Sequence, residues 1–125
     1  MYFITATILE WKHLLADDKY KDTVINEWRH RVKLNHIKVY GFVVMPNHYH
    51  AIINTLSPHD PSDIQRDIHK WTSKQFINDL KLNNPKTLDL YAVNAKGRKY
   101  QIWERNSLPI LLYSPGVTEQ KLRYP

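Results

Sequence analysis

Two histidines one residue apart, His48 and His50, lie in the run Val43-Val44-Met45-Pro46-Asn47-His48-Tyr49-His50-Ala51-Ile52-Ile53. On an extended chain alternate side chains project from the same face, about 7 Å apart at the backbone, close enough for both rings to lean onto one divalent cation. A bare His-x-His fits equally well as two polar residues on the wet side of an amphipathic strand, so the flanks matter. They are apolar on both sides, and Pro46-Asn47 is a turn signal that puts the pair at the mouth of a strand, where sites are commonly built. The chain has no cysteine, which excludes disulfides and thiolate zinc sites and leaves imidazole, carboxylate and amide ligands for any metal.

The elements that must position this pair follow from the patterning of the rest of the chain. With 125 residues and 42% hydrophobic content, residues 1–125 read as a single domain with its own core. No apolar stretch approaches the length of a membrane span, and Met1 to Leu15 lacks the basic start and cleavage region of a secretory signal, so a cytoplasmic protein is expected. The net charge is +6, which favours a polyanionic partner, nucleic acid first. Four Trp, eight Tyr and three Phe exceed the needs of so small a core, and some are available to stack on bases.

Tyr2 to Ile8 is β-branched and aromatic and predicts a strand. Asp17-Asp18 opens a helix whose apolar stripe is Tyr20, Val24, Trp28 and Val32. Ile37 to Met45 and His48 to Asn54, joined by Pro46-Asn47, predict an antiparallel hairpin with the histidines on its second strand. Asp60-Pro61-Ser62-Asp63 supplies an N-cap and a first-turn proline for a second helix to about Leu82, with Ile64, Ile68, Trp71 and Phe76 inward. Leu88 to Val93 and Lys99 to Trp103 read as strands around Asn94-Ala95-Lys96-Gly97, and a final helix is expected from Ser114-Pro115. That order predicts a ferredoxin-like α+β sandwich, an antiparallel sheet with helices on one face. Tyr49, Ala51 and Ile53 would face the helices, leaving His48, His50, Ile52 and Asn54 on an open outer face.

The stretch from Val39 to Ile53 resembles the HUH-motif strand pair of the single-tyrosine transposases, in particular the REP-associated and insertion-sequence branches. Ile68-His69-Lys70-Trp71-Thr72-Ser73-Lys74, Trp103-Glu104-Arg105 and Glu119-Gln120-Lys121-Leu122-Arg123-Tyr124 match the same pattern in the same order. The resemblance implies a metal-dependent enzyme that cuts and rejoins single-stranded DNA beside hairpins through a 5′-phosphotyrosine. Carried over by position, His48 and His50 are metal ligands for Mg²⁺ or Mn²⁺, and Tyr124, on the C-terminal helix, is the nucleophile. Gln120, one turn earlier, is a substitute ligand or a merely solvated helix residue. The chain departs from the pattern at its end, because Pro125 follows Tyr124 directly and the turn that carries a third ligand in relatives is absent. It therefore reads as a truncated or decayed copy, or as a short form with another third ligand. Relatives include homodimers and monomers, so a homodimer is possible.

Arg66, Lys70, Lys74 and Lys81 give the second helix a basic side, and Lys96, Arg98 and Lys99 crowd a hairpin tip. Either group could contact DNA phosphates or simply be solvated. His13, His30, His36, His59 and His69 have no partner at ligand spacing and read as surface or phosphate-contacting groups. Trp71 and Trp103 are expected in the core, and Tyr113 in a loop or packing role. The main alternative to a transposase is a non-catalytic single-stranded nucleic-acid-binding module, which needs neither the histidines nor the tyrosine. A hydrolase acting through activated water is a third.

Overall fold

The computed structural model describes residues 1–105 and 107–112. Among the described residues six strands and three α-helices follow in the order β1 (Tyr2–Thr7), α1 (Asp18–Lys33), β2 (Ile37–Met45), β3 (His48–Thr55), α2 (Pro61–Asn83), α3 (Pro85–Asp89), β4 (Ala92–Ala95), β5 (Arg98–Tyr100) and β6 (Ile110–Leu111). β2, β3, β1 and β6 form one antiparallel sheet in that order, the arrangement of a ferredoxin-like split βαβ unit. β4 and β5 make a separate hairpin outside it.

The helices begin where their capping residues dictate. The Asp17 carboxylate accepts from Lys19 N at 3.0 Å, and that of Asp60 from Ser62 N at 2.9 Å with Pro61 at the first helical position. Each such cap contributes about 1 kcal/mol. α1 buries Tyr20, Val24, Glu27 and Trp28. Val32, placed on the inner stripe by spacing, is exposed at the helix end. α2 buries Ile64, Ile68, Thr72, Phe76 and Leu80. Trp71 is 42% exposed, one residue off that stripe, so only Trp103 of the two tryptophans expected inside is in the core.

Both helices meet the sheet face that carries Ile4, Ala6, Tyr49, Ala51 and Ile53, where Tyr49 sets its ring edge-on to Trp28 at 5.0 Å and to Trp103 at 5.5 Å. His48 and His50 project from the opposite face, as the alternation requires. That face is not uniformly open, because Phe3 and Ile52 on it are buried. They are cross-strand partners, and Phe3 also stacks on His50 with centroids 5.2 Å apart.

The segment after α2 departs from the sequence reading. Leu88 and Asp89 are helical rather than extended, because the Asn84 side chain accepts from Thr87 N at 3.2 Å and Pro85 opens a new helical turn. β4 and β5 turn through Lys96-Gly97, with Gly97 in the left-handed region at φ 77°. The fourth place in the main sheet is taken by the two-residue β6, which has no strand signature. Trp103 reaches the same side of the sheet through a single antiparallel bridge to Ile8. The helix expected from Ser114-Pro115 lies outside the described residues, and with it Tyr113, Gln120 and Tyr124. Among the described residues no helix is long and apolar enough to cross a membrane.

Candidate functional site

The β2–β3 turn fixes the histidine pair. Pro46-Asn47 connects Met45 to its partner His48, and the turn is tied down from outside by Ile8 N to Asn47 O and Leu15 N to Pro46 O, both at 2.9 Å. The pairing register then sets Thr7 opposite His48 and Thr5 opposite His50. The two imidazoles lie side by side with centroids 4.9 Å apart and planes at 75°.

Each ring is oriented through Nδ1. His48 Nδ1 is 2.6 Å from Asn47 Oδ1, and His50 Nδ1 is 3.0 Å from Thr5 Oγ1. An amide oxygen can only accept, so His48 carries its proton on Nδ1 and presents Nε2 as a lone-pair donor. A metal-binding histidine characteristically has this arrangement, in which an oxygen at one ring nitrogen fixes the tautomer in which the other ligates. Among the described residues no group of three or more His, Asp or Glu side chains gathers at ligand spacing, so these residues provide a pair rather than a complete set.

Trp11 stands beside the pair and carries no motif that would have singled it out in the sequence. Its indole is 60% exposed and meets His48 edge-on at 5.9 Å. Glu10 and Trp11 both adopt left-handed φ values, 55° and 59°, which cost about 1 to 2 kcal/mol per residue away from glycine. The surroundings hold them there. Glu10 N donates to Glu104 Oε1 at 2.7 Å, Leu9 N to Ile102 O at 2.8 Å and Trp11 N to Ile8 O at 2.9 Å. Strain sustained by that many contacts beside a polar pair is characteristic of functional sites.

On the opposite face, His69 is neither a surface group nor a phosphate contact, contrary to the sequence reading. Its Nε2 is 2.7 Å from the Tyr49 hydroxyl, and its ring stacks on Trp103 with centroids 4.4 Å apart. Burial depresses the imidazole to about 3 and pushes the Tyr49 phenol far above its ordinary range, so Tyr49 donates to a neutral His69. Trp103 Nε1 continues the network to Thr72 Oγ1 at 3.0 Å. His36 and His59 also pair, with centroids 4.1 Å apart. Desolvation first, then the neighbouring His59, Arg31 and His30, lower His36.

The basic residues separate into two groups. Arg66, Lys70 and Arg98 line one groove, together with Arg105, between α2 and residues 98–105 and 107–108. Lys74, Lys96 and Lys99 are exposed and do not line that groove, and Lys99 Nζ lies over the ring of Tyr100, 5.5 Å from its centroid.

Fold and site together define a class, a split βαβ domain with helices on one face of its sheet and a histidine pair on the other. Among solved structures, a candidate transposase from Deinococcus radiodurans R1 shares this fold with a TM-score of 0.61 at 15% identity, over 98% of this chain and 85% of that one. A REP-associated tyrosine transposase bound to a REP hairpin aligns with a TM-score of 0.59 at 20% identity, over 98% of this chain and 62% of that one. This chain therefore spans less than two thirds of the length of the hairpin-bound protein. No family model and no curated protein matches the sequence. The fold implied by the resemblance of residues 39–53 to tyrosine transposases is thus the fold observed.

Proposed function

We propose that this chain is a transposase-type enzyme that cleaves and rejoins single-stranded DNA next to hairpins, with His48 and His50 holding a divalent cation and Tyr124 as nucleophile. The observation that carries the reading is the pair itself, two adjacent imidazoles whose Nδ1 atoms are each engaged by an oxygen, on the sheet face away from the helices. The donor set suits a divalent cation such as Mn²⁺ or Mg²⁺, completed by ligands other than these two rings. Bound there, the cation would polarise the scissile phosphate and stabilise its developing charge.

The Tyr124 phenol attacks phosphorus, the P–O3′ bond breaks, and a 5′-phosphotyrosine and a free 3′-hydroxyl result. The phenol loses its proton and the leaving O3′ gains one. Attack by a different 3′-hydroxyl reverses the step and joins strands, with the bond energy retained in the enzyme. Asn47 and Thr5 orient the two rings. Trp11 offers an exposed aromatic face beside them for a base of the same strand. Trp11→Ala is expected to weaken single-stranded DNA binding about tenfold, with Trp11→Phe close to wild type, by fluorescence anisotropy.

The test is incubation of the protein with labelled hairpin-bearing single-stranded DNA and Mn²⁺. A denaturation-resistant protein–DNA band is expected, and Tyr124→Phe removes it. Undiminished binding with no band in the wild-type chain would favour a non-catalytic binding module.

A further inference from the structure

The first turns of α2 and residues 98–105 and 107–108 line a groove of about 700 Å³, large enough for a small ligand. It holds two buried polar atoms with no hydrogen-bond partner, Gln65 Oε1 and Arg98 Nε. Gln65 is only 4% exposed, and its amide nitrogen is committed to the Thr5 carbonyl at 3.4 Å. A buried polar atom left without a partner is costly, and native structures usually supply one. The two atoms make opposite demands, since the amide oxygen requires a donor and the guanidinium nitrogen an acceptor. A backbone phosphodiester supplies acceptors alone, so it answers Arg98 and leaves Gln65 unmet. A nucleobase edge presents both kinds of group side by side.

The charge around the groove adds the second half of a nucleotide. Arg66 is paired with Asp63 at 3.0 Å, and the carboxylate of Glu104 is turned to Glu10 N. Lys70, Arg98 and Arg105 have no ion pair among the described residues. The groove thus keeps an excess of positive charge that favours a phosphate-bearing ligand over an uncharged one or a peptide.

We infer that this groove takes one unpaired nucleobase of a DNA strand, its edge met by Gln65 Oε1 and Arg98 Nε and its phosphate by Lys70 and Arg105. The inference rests on the DNA reading above and extends it from cleavage to sequence choice. Thr5 joins the two places. Its carbonyl accepts from Gln65 Nε2 and from Ser107 Oγ, while its hydroxyl is bonded to His50. Gln65 is therefore two hydrogen bonds from His50.

The test is binding of the full chain, in EDTA so that no cleavage occurs, to hairpin oligonucleotides whose unpaired tails carry one abasic position at a time. One tail position should lose about tenfold in affinity when its base is removed, within the range for bidentate base recognition. Gln65→Leu should abolish that sensitivity while leaving the salt dependence of binding unchanged. Arg98→Lys, which keeps the charge and loses Nε, should abolish it too and serves if Gln65→Leu does not fold. Wild-type affinity that changes less than twofold at every tail position overturns the base site while leaving the cleavage reading intact. So does sensitivity retained in a folded Gln65→Leu or Arg98→Lys variant. No binding to any of the hairpins overturns both.

Discussion

His48→Ala and His50→Ala should each lower strand cleavage by at least about a thousandfold while changing DNA affinity by no more than a few fold. A cation at a reacting phosphate supplies several kcal/mol of transition-state stabilisation, and each 1.4 kcal/mol is tenfold in rate. Affinity for the strand comes instead from phosphate contacts and stacking elsewhere on the surface. The oxygens at Nδ1 should matter less but measurably. Thr5→Val removes the oxygen at His50 Nδ1 and Asn47→Ala the one at His48 Nδ1, and losses of about 10- to 100-fold are expected from each, recovered in part at high Mn²⁺. Single-turnover cleavage across a metal titration separates these outcomes. A surface role for the pair predicts no metal-dependent recovery.

The second large effect concerns pH. His69 is held near 3 in the folded chain against an ordinary value of 6.5, because its imidazole is removed from water against Trp103 and Tyr49. Between those two values the unfolded chain binds a proton at this position and the folded chain does not. Stability therefore falls as pH is lowered through that window, by about 1.4 kcal/mol per pH unit, and this contribution is flat above about 6.5. His36 is lowered too and acts in the same direction, so the comparison must be made on one background. His69→Leu should be less stable than wild type at pH 7.5 by about 1 to 3 kcal/mol, because the Tyr49 hydroxyl loses its acceptor. The two stability curves should then converge by about pH 4.5 in urea unfolding. Parallel curves would contradict a neutral, buried His69.

The main frame was legible in the sequence because its signals are local. Alternation across His48 to Asn54 assigned the two faces of β3, Pro46-Asn47 gave the hairpin turn, and Asp17 and Asp60 marked the helix starts. What stayed hidden depends on tertiary contacts. Ile110–Leu111 is too short to carry a strand pattern and becomes β6 only because the edge of β1 offers it partners. His69 looked like a surface residue because nothing in its neighbourhood on the chain reveals that Tyr49, twenty positions away, supplies its hydrogen bond. Trp11 was one aromatic among many, and its place beside His48 follows from two left-handed residues that no local pattern announces. The groove at Gln65 and Arg98 joins positions from α2 and β5, and only the fold shows that both atoms lack partners.

Whether the two imidazoles on β3 ligate one divalent cation is read out by pulsed electron paramagnetic resonance of the Mn²⁺-loaded full chain. Nitrogen hyperfine coupling from imidazole is expected in the wild-type chain, and its loss when both histidines are replaced by alanine. Mn²⁺ that binds with no imidazole coupling, or coupling that survives the double replacement, would contradict ligation by the pair.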